Sequence, residues 1–97
     1  MKLTGKQKRY LRSLGNPLNP VVRLGKDGLD EGVVGAVNAA LERHELIKVK
    51  LELGGSEDRF EAANVLAEQT KSEVAQVMGG TILLYRKHPK EPKISLP

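Results

Sequence analysis

The residues best placed to do chemistry are Gly25-Lys26-Asp27-Gly28, which lie between a short apolar segment and the start of a helical pattern. Backbone N–H groups left unpaired at a helix N-terminus, together with the helix dipole, can receive a phosphate there. The glycines allow close backbone approach, and Lys26 adds a cation with three donors. Asp27 puts a negative charge in the same cradle, so a phosphate site requires it to point away. The same composition also makes an ordinary tight turn, and the loop alone decides nothing.

The cations are more informative because they are segregated. Residues 1–26 carry Lys2, Lys6, Lys8, Arg9, Arg12, Arg23 and Lys26 and no acid, a charge of +7. Residues 27–85 carry five basic residues against eleven acids, a charge of −6, and residues 86–97 carry Arg86, Lys87, Lys90 and Lys93 against Glu91, a charge of +3. The net +4 of the 97 residues conceals this. Clustered cations point to a polyanion, since they raise the local potential more than scattered ones do.

Catalytic chemistry has little support. His44 falls at a helix end, where an imidazolium suits the dipole, and His88 lies in a Pro-rich tail. No His/Asp/Glu set has metal-ligand spacing, and with no cysteine there is no thiolate nucleophile or Cys-ligated metal. Glu57, Asp58 and Glu61 cluster where a helix N-terminus favours acids, and Ser13, Ser56, Ser72 and Ser95 sit in no nucleophile elbow. The expectation is a non-enzymatic chain without metal or cofactor. Tyr10, Phe60 and Tyr85 are its only aromatics, too few for a base-stacking platform, so Lys and Arg would act on backbone and shape. Without an 18-residue apolar run or a signal-peptide core, the expected setting is cytoplasmic, with no membrane partner.

The elements that position these residues follow from pattern. Thr4 caps a first helix running to about Leu14, with Leu3, Tyr10, Leu11 and Leu14 as its apolar face and Lys6, Lys8, Arg9 and Arg12 on flanking stripes. Val21 to Leu24 is a short strand. Asp30 caps a second helix whose stripe is Val34, Val37 and Leu41, with Leu29 and Val34 at hydrophobic-staple spacing. Gly32 and Gly35 on that helix would let a neighbour approach closely. Leu46 to Leu53 alternates, with Ile47, Val49, Leu51 and Leu53 on one face and Lys48, Lys50 and Glu52 on the other. Ser56 caps a third helix carrying Phe60 into the core with Ala63, Leu66 and Ala67. Glu73–Met78 and Thr81–Arg86 form a hairpin about Gly79-Gly80.

The order α-β-α-β-α-β-β predicts an α/β two-layer sandwich, a four-stranded mixed sheet with its helices packed on one face. The other face would stay open and carry Lys48, Lys50 and Arg23. Residues 1–87 form the domain, and 88–97 form a Pro-rich basic tail that is extended or mobile.

Leu3-Thr4-Gly5-Lys6-Gln7-Lys8-Arg9-Tyr10-Leu11-Arg12, Pro20-Val21-Val22 with Gly25 to Leu29, His44 to Lys50, and Thr81 to Arg86 span nearly the whole chain in order. In these residues the sequence resembles the CRM domain (chloroplast RNA splicing and ribosome maturation), and in length its stand-alone bacterial YhbY-type members. The resemblance implies an RNA-binding module with a fold similar to the C-terminal domain of translation initiation factor three, and the chain is expected to be a monomer. It also implies association with rRNA in precursors of the large ribosomal subunit. The family's GxxG loop, likened to that of KH domains, falls on Gly25 to Gly28, and its basic first helix on Lys6, Lys8, Arg9 and Arg12. Its strand motif falls on Glu45 to Lys50. With these, the expected RNA contacts are Lys6, Lys8, Arg9, Arg12, Arg23, Gly25, Lys26, Gly28, Lys48, Lys50, Arg86 and Lys87. The rival reading is an adaptor whose acidic middle docks a basic ribosomal protein; another is a small phosphate-ligand domain built on Gly25 to Gly28.

Overall fold

A computed structural model describes residues 2–25, 28–52 and 58–97. Thr4 opens α1 (Gly5–Gly15) with a capping box: its hydroxyl accepts from the Gln7 N–H while the Gln7 side chain accepts from the Thr4 N–H. There follow β1 (Pro20–Leu24), α2 (Glu31–His44), β2 (Leu46–Leu51), α3 (Arg59–Thr70), β3 (Glu73–Met78) and β4 (Thr81–Tyr85). The sheet runs β1-β2-β4-β3, with β1 parallel to β2 and the other two pairings antiparallel. It is mixed and four-stranded, in the expected order. None of the helices among the described residues is long and apolar enough to cross a membrane.

The placement of the helices differs from expectation. Helices α2 and α3 bury Val37, Leu41, Ala63 and Leu66 against Leu24, Ile47, Val49, Ile82 and Leu84. Helix α1 lies on the opposite face, where Leu3 and Leu11 pack on Leu46, Ala75, Leu83 and Tyr85. The physical reason is that β4 is apolar on both sides, so one layer of helices cannot cover it.

Three local expectations change as well. The α3 cap is Asp58, whose carboxylate accepts from the Phe60 and Glu61 N–H groups; Ser56 lies outside the described residues, as does Leu53. Phe60, in the first turn, is 52% exposed rather than core, and the Arg59 guanidinium stacks 5.2 Å from its ring centre. Tyr10 and Leu14, assigned to the apolar face of the first helix, are both exposed at its flank.

The tail bends at Pro89 and Lys90, where His88 Nδ1 accepts from the Lys90 and Glu91 N–H groups, and it is anchored. Glu45 follows α2 at φ 64° and is 1% exposed. One carboxylate oxygen accepts from the Lys93 and Ile94 N–H groups at 2.5 and 2.9 Å, the other from His88 N–H at 2.8 Å. Ile94 and Leu96 then close over the Leu3/Leu46/Tyr85 cluster, and the Gln7 amide donates to the Pro97 carbonyl. Burial pushes the Tyr85 phenol above its ordinary value, and the Glu45 charge pushes the same way.

Two glycines should respond oppositely to alanine. A Cβ on Gly15 would come within 2.8 and 2.9 Å of the Leu83 methyls, and Leu83 is itself buried, so α1 must lift or Leu83 shift. Gly15→Ala should lose about 1–3 kcal/mol by overpacking. Gly35, expected to admit a close neighbour, has no heavy atom beyond its own stretch of helix within 4 Å of such a Cβ. Gly35→Ala should therefore gain about 1 kcal/mol from helix propensity. Chemical denaturation of both variants checks the opposite signs.

Candidate nucleic-acid interface

On the α1 side, register sets the side chains in rows across the sheet. The row Leu46, Tyr85 and Glu73 lies beneath α1 and the tail. The next row is Pro20, Lys48, Leu83 and Gln76, and the last is Arg23, Lys50, Thr81 and Met78. Helix α1 ends over Leu83, and the Lys48 ammonium reaches back to the Asn16 carbonyl at 3.3 Å. The last row is left bare, with Lys50 exposed and Met78 63% exposed. The sheet face is therefore open at one end only, not across its whole width as expected.

Lys6, Lys8 and Arg9 are exposed on α1, and Arg12 is half-buried in its last turn. That helix carries no acid. Lys48, Lys50 and Arg23 share its side of the sheet, so the fold brings these seven predicted residues to one side. Arg23 donates to Glu52 at 2.9 Å, but with side chains 71% and 42% exposed this pair contributes little and is open to exchange. The opposite side carries α2 and α3, whose Glu31, Glu42, Glu61 and Glu68 are all exposed. The sheet is thus a partition between a cationic and a more acidic face.

The Gly25–Gly28 loop begins two residues beyond Arg23. Lys26 and Asp27 lie outside the described residues. Gly28 has φ 79° and its N–H donates to the Gly25 carbonyl at 3.1 Å, so that donor is used within the turn. The α2 N-terminus already holds the Asp30 carboxylate, which accepts from Val33 N–H at 2.8 Å, with Glu31 beside it. Both features work against a phosphate seated on the helix end itself.

Arg86 does not join the other cations. It points to the α2/α3 side, where its guanidinium donates to the Asn38 side chain and carbonyl at 2.8 and 3.0 Å and to the Thr70 carbonyl at 2.7 Å. It clamps the two helices together. Lys87 is exposed beside the tail and Gln7. His44 is exposed at the mouth of an apolar groove lined by Leu14, Leu18, Val21 and Leu46. No group of three or more His, Asp or Glu among the described residues could hold a metal ion.

Residues 3–86 match the CRS1 / YhbY (CRM) domain. The chain belongs to that family. It is 39% identical over 95 residues to the "Probable RNA-binding protein YqeI" of Bacillus subtilis, covering 98% of this chain and 99% of the relative. An "RNA-binding protein" of Haemophilus influenzae is 43% identical over 95 residues, covering 98% and 95%. The fold is similar to the solution structure of a hypothetical Staphylococcus aureus protein described as a candidate RNA-binding protein. The two superpose with a TM-score of 0.86 at 43% identity, covering 98% of this chain and 99% of that one.

Sequence reasoning missed Gln76, Thr81 and Met78, which share the last two rows with Lys48 and Lys50. Strict alternation along β3 would put Val74, Gln76 and Met78 on one face. A register shift between Val74 and Gln76 breaks it, so that Val74 and Val77 face the helices while Gln76 and Met78 face the cations.

Proposed function

We propose that the chain is a non-enzymatic, cytoplasmic RNA-binding protein that holds structured rRNA in precursors of the large ribosomal subunit. The observation that carries RNA binding is the partition of charge across the sheet. Lys6, Lys8, Arg9 and Arg12 on α1 stand on the same side as Lys48, Lys50 and Arg23, while the opposite helices expose Glu31, Glu42, Glu61 and Glu68 against Arg43 and Arg59. Such a face suits the sugar-phosphate backbone, which dominates affinity for nucleic acid and is read without regard to sequence. Family membership and relatives named as RNA-binding proteins support the same reading, and the resemblance in sequence supports the ribosomal precursor as target.

Crosslinking the protein to RNA in cells and mapping the reads tests it. Reads should gather in large-subunit rRNA and in its unprocessed forms. A map spread over messenger or small RNAs, with none in the large subunit, would remove the ribosomal assignment and leave RNA binding. The acidic faces of α2 and α3 favour a second reading, an adaptor for a basic ribosomal protein; complexes that survive nuclease treatment would select it.

A further inference from the structure

The bare end of the cationic sheet face is more than a flat charged surface. Pro20, Lys48, Leu83, Gln76, Thr81 and Met78 line a hollow of about 140 Å³ drawn from all four strands. Buried Leu83 and exposed Pro20 give it apolar lining. The Met78 thioether forms one exposed wall. The Gln76 amide makes only a 3.8 Å contact to the Met78 sulfur, leaving its carbonyl oxygen without a partner among the described residues. The Thr81 hydroxyl has none there either. Lys48 and Lys50 stand on the neighbouring strand, and among the described residues Arg23 beyond Lys50 is held only by its exposed pair with Glu52.

We propose that this hollow takes one unpaired nucleobase of a bound RNA, while Lys50 and Arg23 hold the phosphates on either side of it. The inference rests on the RNA-binding reading above and narrows its substrate to RNA with an unpaired segment beside a helix. Three features select a base over another occupant. The rim is cationic, which matches the backbone that must accompany the base. A carboxamide and a hydroxyl offer both donors and acceptors to a base edge, and those edges are reachable only when the base is unpaired, because the deep major groove of an RNA duplex shuts side chains out. A polarizable sulfur can lie against the flat face of a base where no aromatic is at hand. Of the three aromatics, Tyr85 is buried, Phe60 is on α3 across the sheet, and Tyr10, exposed on α1, does not line the hollow.

The experiment compares two RNAs of equal length and charge by fluorescence anisotropy, a hairpin with an unpaired loop and a fully paired duplex. The wild-type chain should prefer the hairpin by about tenfold, equivalent to about 1.4 kcal/mol. The double variant Gln76→Ala, Met78→Ala should bind the hairpin no better than the duplex, with duplex affinity unchanged. Both side chains lie on the solvent side of an edge strand, and circular dichroism confirms that the variant is folded. A preference that survives the double substitution, or a wild-type chain that binds both RNAs equally, overturns the base pocket and leaves backbone binding standing. Failure to bind either RNA overturns both readings together.

Discussion

Replacing Glu45 by alanine should free the C-terminal ten residues and remove about 3 kcal/mol of stability. Hydrogen bonds to a charged group contribute about 1.5–3 kcal/mol each, and this carboxylate accepts three. The full sum is not lost, because a tail without its anchor can peel away and return its amides to water. Leu3, Leu46 and Tyr85 then lose the cover of Ile94 and Leu96. Glu45→Gln should fall between the two. One of its ends accepts from Lys93 and Ile94 as before, but the other presents an NH₂ where the His88 N–H needs an acceptor. Hydrogen exchange at residues 88, 93 and 94 reads the anchor directly. Wild-type exchange rates in Glu45→Ala would mean that the carboxylate does not hold the tail.

The same contact carries a pH dependence whose sign is fixed. Burial alone would raise the Glu45 pKa, but the three backbone donors and the nearby His88 outweigh it and hold the carboxyl below its usual 4.5. A group depressed in the folded state stabilises fully above its unfolded value, and that contribution is lost as pH falls through the folded value. The tail should therefore stay protected from neutral pH down to about pH 5 and loosen on further acidification. In Glu45→Gln that acid limb should flatten.

The tail also marks where the sequence was least readable. Three prolines in residues 88–97 suggest a segment without packing, yet Lys93-Ile94-Ser95-Leu96 alternates as a chain lying on an apolar surface does. What it lies on is assembled from Leu3, Leu46 and Tyr85, residues far apart in sequence, and no local pattern reports that. The side taken by α1 did leave a signal. Ile82-Leu83-Leu84-Tyr85 is apolar without interruption, unlike the alternating Ile47 to Leu51, and such a run belongs to a strand covered on both faces. The element order was legible because each element has its own cap or period. In the interface, the α1 cations were legible as a charge cluster, and Lys48 with Lys50 as the polar phase of β2. The pairing of Arg23 with Lys50, and of both with Thr81 and Met78, needed the parallel register of β1 and the bulge in β3. Both are long-range properties.

Charge reversal on α1 should have the largest effect on RNA affinity. Lys6→Glu, Lys8→Glu and Arg9→Glu together change the charge of this face by six, at positions that are all exposed and outside the core. If about five phosphates are neutralised by the wild-type face, log K should fall with log salt at a slope of roughly −3.5 to −4.5. Removing three of those contacts should reduce the magnitude of the slope by about 2–2.7 and weaken binding at least about a hundredfold near physiological salt. The loss should be similar for every RNA sequence, since phosphate contacts carry no base information. Unfolding cannot account for it. The Thr4/Gln7 capping box is untouched, and α1 has no acid in its first turn, where negative charge is favoured by the helix dipole. The variant should therefore melt at or slightly above the wild-type temperature while losing RNA. If affinity and salt slope both survive, the first helix is not the phosphate-binding surface, and the cations of the open sheet rows must hold the RNA without it.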